Sequence, residues 1–543
     1  MVEANVFQPY FAAKRTDRTV AAAVWSGLVT LAPDGRYLPV LAASVPTTAN
    51  GAVQVPGDGG DAMTVNWRLR EGLRWSDGEP LECDDMAYAW AWVVDPDNVG
   101  VDRTGYEDIS AVDCPSPTEM TWHFDRVYSA YLSLVPTPLP RHVLESIPMA
   151  DQVTGEGFKP ADLPKLPVSG PYRFVAATPG TELKLAANRS WLNPVTGRSP
   201  LVPALTWRWY GSPAALVAAF RQGSVDVATG LAGTDVVRER GLADRTLETP
   251  SLTYASLVLN WSGGAASEPG VTGGGTGCAR GLLVASRGPG CPVSDDAIRS
   301  AIARTIDREA IVAEVLGGAG TVIDDVVPAE AWFAPALPPR AVDPGAASRA
   351  LDDAGWETGP DGIRTKNGLR ARIEICAPDD ARSAAVAARI SDQLRPVGIE
   401  AVADPVPADQ LSADPGSVGA AVPCILGAGA FDAALVDRTS PVDPLGYFFA
   451  YHGSQIPPNG TNIAAISDDA IDAALDAVLE DPDPATVGAA IAAFERRARA
   501  RVVELPLFRP TTADLVGAKI GNVMANPLQE IATWNVADWF RAR

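Results

Sequence analysis

Histidine is nearly absent from this sequence: 543 residues carry three, His123, His142 and His452. None stands in HExxH or another metal-ligand spacing, and no GxSxG occurs, which excludes the commonest metallohydrolase and serine-hydrolase constellations. Lysine is scarce as well, six among 44 basic residues, and 66 acidic residues bring the formal charge to −22. No basic stripe exists along which phosphates could be neutralised, so nucleic acid is excluded as a partner. No run approaches the roughly 18 uncharged apolar residues that a membrane-spanning helix needs. Residues 1–20 lack the basic-then-apolar pattern of a secretion signal, so the chain is either cytosolic or has lost a leader. No cysteine stands in CxxC or beside a histidine at zinc-like spacing, and neither metal nor cofactor is expected.

What is present suits a large globular protein. The length exceeds what one hydrophobic core organises, and 47% apolar residues suffice to fill two or more. Six cysteines allow 15 pairings. Three successive local pairs, Cys83–Cys114, Cys278–Cys291 and Cys376–Cys424, would each close a modest loop and suit an oxidising compartment. Six buried thiols in a cytosolic protein are the alternative.

Along the chain, strands and helices alternate. In MTVNWRLREGLRWSDGEPLECDDMAYAWAWVV, Val65, Trp67 and Leu69 alternate as a strand, SDG turns, and Asp84 or Asp85 caps a helix from Met86. PVSGPYRFVAATPGTELKLAAN gives two strands joined by a PG turn. LTWRWYGSPAALVAAFRQGSVDVATGL reads as strand, helix and strand, a βαβ unit with Gly223 stopping the helix. Residues 263–277 are rich in glycine, but no GK[ST] follows, so a surface insertion is expected rather than a phosphate loop. Two capped helices follow from Ser294, then a strand RARIEICAP, a helix over 381–396, and strands IEAVADPV and FDAALVDR. A long helix near 484–501 leads into the strand ELPLFRP. The whole reads as α/β without internal repeats. Carboxylate pairs such as Asp84 with Asp85 and Asp324 with Asp325 read as helix-cap and surface charges, not as acid–base machinery.

Several segments, taken in order, resemble the dipeptide- and oligopeptide-binding receptors of ABC importers, the extracellular solute-binding proteins of family 5. They are LREGLRWSDGEPLECDDMAYAW, SGPYRFV, FRQGSVDVA, IRSAIARTIDREAIVAEVLGGAGTV leading to VVPAEAWF, ALDDAGW and VELPLFRP. The resemblance implies a two-lobed α/β fold of the class II, cluster C periplasmic-binding type, with mixed sheets and a hinged cleft between lobes. It implies one lobe from residues 1–261 plus 505–543, with a subdomain near 44–168, and a second from 262–504. Crossing strands are expected near Leu257–Trp261 and Leu505–Phe508. The implied function is non-catalytic: capture of a peptide or peptide-like ligand and delivery to an ABC permease. A monomer outside the cytoplasm is expected, held by a lipidated N-terminal segment not contained in this sequence. A degenerate receptor serving as regulator or adaptor, or a receptor for oligosaccharide, is the rival.

Peptide-binding relatives hold the ligand's α-amino group with an Asp shortly after the strand that reads FDAALVDR here. The matching position falls on Ser440 or Pro441, so Asp437 or Asp443 would have to substitute. Ligand contacts carried over by position are Gln8, Tyr10, Tyr254, Asn260, Trp332, Asp437, Arg438, Asp443, Tyr447 and Arg509. Trp67, Trp75, Trp90 and Trp92 are assigned to the scaffold, since buried aromatics usually serve packing.

Overall fold

The computed structural model describes residues 7–12, 14–56, 61–98, 100–134, 137–236, 242, 246–261, 271–273, 291–413, 424–429 and 431–542. The chain divides into two compact units. The first comprises Met1–Thr249, Glu480–Asp483 and Thr512–Arg543, and the second Pro250–Leu479 and Pro484–Thr511.

In the first unit, strands Val53–Gln54, Met63–Arg68, Glu119–Phe124 and Ile109–Ser116 form an antiparallel sheet in that order. Period-2 alternation puts Met63, Val65, Trp67, Met120, Trp122 and Phe124 on one buried face. Trp67 and Trp122 meet there with ring centroids 5.3 Å apart. Helix Cys83–Val94 is tied to strand Ile109–Ser116 by the Cys83–Cys114 disulfide, which spans 31 residues. Closing a loop of that length removes about 3.7 kcal/mol of unfolded-chain entropy. The helix begins earlier than the sequence suggests. Glu82 is its N-cap, and Asp85, three residues on, reaches back to accept the Glu82 N–H at 3.1 Å and the Trp75 indole N–H at 3.1 Å. Asp85 is thus a buried brace whose carboxyl is pushed upward by desolvation.

The expected βαβ unit is not formed. Strand Ala204–Arg208 pairs antiparallel with Glu182–Ala187, whereas Val227–Ala232 pairs antiparallel with Thr512–Val516, so the two strands lie in different sheets. A short connecting helix, Pro213–Arg221, joins them, and Gly223 follows at φ 71° as the left-handed stop.

The second unit is built on one mixed sheet. Its order is Glu504–Val516 (up to Thr511), Thr253–Leu259, Ala433–Thr439, Arg372–Pro378 and Glu400–Val406, with Gly320–Val322 added beside Phe508–Pro510. The last three of the five run parallel. Leu257, Val258 and Leu259 are all buried because both faces of this central strand are covered, and so it reads as a continuous apolar run. On one face Leu257 and Leu259 pack with Ile302, Val386, Ile390 and Leu394 from the helices; on the other Val258 packs with Tyr447, Leu475, Ile491 and Phe494. Asp295, Asp307, Asp343 and Asp380 each cap a helix by accepting a backbone N–H within its first turn at 2.7–3.0 Å.

Cys376 and Cys424 form the second predicted disulfide, across 48 residues. Cys291 is disulfide-bonded too, and Cys278, named as its partner, lies outside the described residues, as does most of the 263–277 insertion. Asp324 and Asp325 are not surface charges. Their side chains are only 20% exposed and pair with Arg308 at 2.6 Å and Arg499 at 3.1 Å.

Candidate functional site

Open α/β sheets bind ligands outside the carboxyl ends of their parallel strands, where backbone and loop groups converge. In the second unit that edge is formed by Pro378, at the end of Arg372–Pro378, and by Asp437–Thr439, at the end of Ala433–Thr439. The start of helix Ala381–Leu394 lies beside them. Strand register sets Tyr254 opposite Arg438 and Ala255 opposite both Asp437 and Phe508. Six of the ten predicted contacts, Tyr254, Asp437, Arg438, Asp443, Tyr447 and Arg509, belong to this edge or to segments flanking it.

Alternation along the strand sends Asp437 and Arg438 to opposite faces. Arg438 turns inward, where its guanidinium pairs with Glu504 at 3.2 Å and lies 5.0 Å above the Tyr451 ring. Tyr254 Oη donates to Glu504 Oε1 at 2.8 Å and meets Tyr451 Oη at 3.3 Å. Burial, then the Glu504 charge, holds the Tyr254 phenol well above its usual range, so it is a donor throughout the physiological range. One cation and one anion are matched inside this network, which therefore serves to shape the edge rather than to offer a free charge.

Asp437 turns outward. Its carboxylate accepts from Arg382 Nη2 at 2.5 Å, and the two side chains remain 40% and 35% exposed. They line a shallow surface depression of about 10 Å³, beside Ala255, Pro378, Val386 and Phe508. The depression is far smaller than a small-ligand pocket, so what it offers is an exposed ion pair at the strand end rather than an enclosed site.

The remaining predicted contacts have other partners. Ser440, one of the two positions expected to match the relatives' Asp, is buried with its hydroxyl donating to Val326 O at 2.9 Å. Asp443 accepts the Leu445 N–H at 2.7 Å at the start of a short helix. Tyr447 is fully buried and donates to Pro441 O at 3.2 Å. Arg509 is spent on Glu330 at 2.8 Å and on the Ser251 and Pro250 carbonyls. Asn260 bridges two carbonyls, Gly429 O at 2.9 Å and Phe431 O at 2.6 Å. Trp332 is half-buried, edge-on to Phe333 at 5.3 Å. In the first unit, Gln8 caps its own turn by accepting the Tyr10 N–H at 2.6 Å, and Tyr10 donates to Thr137 O at 2.8 Å while stacking on Trp92. Trp67, Trp75 and Trp92 are scaffold, each with at most 2% exposure.

Sequence reasoning missed Arg382, Glu504, Tyr451 and Glu495. Glu495 lies 2% exposed on helix Pro484–Arg501, accepting the Val326 N–H at 3.4 Å. Desolvation, then the neighbouring Asp325 charge, pushes its carboxyl up to about 8. Only Arg382 carried a signal: it stands two residues after a capping Asp, at the end of a strand already recognised.

Comparison with known proteins agrees with this architecture. The signature of bacterial extracellular solute-binding proteins, family 5 Middle, matches residues 39–455. Protein XP55 of Streptomyces lividans is 26% identical over 473 residues, 86% of this chain and 75% of its own length. Oligopeptide-binding protein AppA of Bacillus subtilis is 24% identical over 353 residues, 63% of this chain and 58% of its own. Among solved structures, an ABC transporter substrate-binding protein from Sinorhizobium meliloti superposes with a TM-score of 0.74 at 17% identity, covering 100% of this chain and 98% of the other.

Proposed function

The chain belongs to family 5 of the bacterial extracellular solute-binding proteins, the non-enzymatic substrate receptors of ABC importers, and we propose that it captures peptides through their free α-amino group, with Asp437 as the counter-charge. The observation that carries this reading is the position of Asp437. Its exposed carboxylate stands at the carboxyl end of a parallel strand, where ligands of open α/β sheets bind. An ammonium donating to it would form a charge-assisted bond, roughly twice as strong as a neutral one. Strand-end backbone groups can hydrogen-bond the peptide main chain. Peptide binding by the AppA relative, as its name states, supports the ligand class.

The location follows from the family: it is extracytoplasmic, and among the described residues no helix is long and apolar enough to cross a membrane. The disulfides Cys83–Cys114 and Cys376–Cys424 suit an oxidising compartment. Action as a monomer and tethering by a lipidated N-terminal segment complete the proposal.

Thermal unfolding with free and N-acetylated forms of the same peptides tests it. A peptide at 100 times its dissociation constant stabilises the fold by about 2.7 kcal/mol, a shift of a few degrees. The reading expects that shift from free peptides and a smaller one from acetylated peptides; equal shifts would sink it.

A further inference from the structure

We propose that residues 188–203 of the first unit form a docking loop for an anionic lipid surface, with Arg189 and Arg198 at the headgroups and Val195 entering the apolar boundary beneath them. The loop joins strand Glu182–Ala187 to strand Ala204–Arg208. It carries the three most exposed large apolar side chains among the described residues, Val195 at 89%, Leu201 at 58% and Leu192 at 56%.

Its shape is braced from within. Asn193, 9% exposed, accepts the Val195 and Thr196 N–H groups at 2.9 Å each, and the Gly197 N–H closes back on the Asn193 carbonyl at 2.8 Å. The Asn193 amide donates to Asp538 at 2.7 Å, and the Trp191 indole donates to Ser26 Oγ at 3.1 Å. These bonds root the turn in the body of the unit and hold Val195 outward at its tip.

Charge decides what the tip meets. Between Asp162 and Asp226 the chain has seven basic residues and one acidic, Glu182, whereas the whole chain has 44 basic and 66 acidic. Glu182 is itself paired with Lys184 and Arg208. Arg189 and Arg198 are exposed and form no ion pair among the described residues, and the same holds for Arg173, whose neighbour Tyr172 stands opposite Ala187 at the root of the loop. Asp538, the carboxylate that reaches the loop, is taken up by Asn193. Exposed charges more than about 8 Å apart are largely screened at physiological salt, so the protein's overall negative charge does not cancel a local positive one. A protein partner would need a hollow shaped to this projection. The boundary between headgroups and acyl chains needs none: it accepts an apolar tip while the flanking guanidinium groups stay among the phosphates.

Co-sedimentation of the full chain with vesicles tests this, using phosphatidylglycerol and phosphatidylcholine in equal parts against phosphatidylcholine alone, at about 0.1 M salt. The protein should pellet with the first and stay in solution with the second. Each basic residue at an anionic surface contributes roughly a fivefold factor, so Arg189→Ala with Arg198→Ala should weaken binding about thirtyfold. Val195→Asp should weaken it about tenfold or more at unchanged unfolding temperature, since the side chain is almost fully exposed. Arg349→Ala with Arg395→Ala, which removes the same charge from the exposed surface of the second unit, should change nothing. A protein that stays in solution with both kinds of vesicle would overturn the proposal. Equal weakening by the two arginine pairs would overturn it as well, because overall charge and not this loop would then govern binding.

Discussion

Glu495→Gln should remove a pH dependence of stability that the wild type carries near neutrality. Glu495 is 2% exposed, and desolvation followed by the Asp325 charge raises its carboxyl from 4.5 to about 8. The charged groups acting on it are Asp325, Arg340 and Glu504, of which Arg340 is itself lowered to about 10 by desolvation and by Arg499. With a folded value above the unfolded one, the folded state holds more protons between these limits. The group's stabilisation is therefore complete below pH 4.5 and is lost as pH rises toward 8. One unit corresponds to about 1.4 kcal/mol, so of order 3 kcal/mol should disappear between pH 5 and pH 7.5. Glutamine keeps the shape, can donate to Asp325 and needs no proton. Urea unfolding at pH 5.5, 6.5 and 7.5, extrapolated linearly, should show the variant gaining on the wild type by about 1 kcal/mol per unit. Asp325, hydrogen-bonded to Glu495, titrates together with it, and the difference reports the two as one unit; the other titrating groups are shared and cancel. A difference that stays constant across this range would refute the account of Glu495.

Other perturbations have sizes set by their geometry. Replacing Cys376 and Cys424 together with alanine opens a 48-residue loop and should cost about 4 kcal/mol, read as a lower denaturation midpoint without reductant. Asn260→Ala removes from a fully buried side-chain position the donor to the buried Phe431 carbonyl and the half-buried Gly429 carbonyl, and should cost about 1–3 kcal/mol, visible as a drop in unfolding temperature. Leu257→Ala, at 0% exposure in the central strand, should cost about 2–5 kcal/mol in the same assay.

The fold was legible where local signals agree. Alternation at Val65 and Trp67, aspartates before helices, and the ordered segments shared with the family located most elements. The βαβ misreading shows the limit: strand, helix and strand in sequence do not say which sheet each strand joins, and Val227–Ala232 finds its partner nearly 300 residues away. Burial of charge was equally hidden. Asp324 and Asp325 look like surface residues because their compensating arginines stand on other elements, Arg308 on the preceding helix and Arg499 near the end of the chain. At the site, Asp437 and Arg438 were named together, but strand alternation gives them opposite fates, one outward with Arg382 and one inward with Glu504. Nothing near Arg382 in sequence announces that pairing, since 55 residues separate it from Asp437.

The most direct test of the central claim is calorimetric titration of one tripeptide with a free amino group into the wild type and into Asp437→Asn. The account predicts that the wild type binds and that the asparagine variant, isosteric but uncharged, binds roughly tenfold or more weakly at unchanged unfolding temperature. Equal affinity in the two proteins would contradict it, because the ligand's ammonium would then be held elsewhere or not at all.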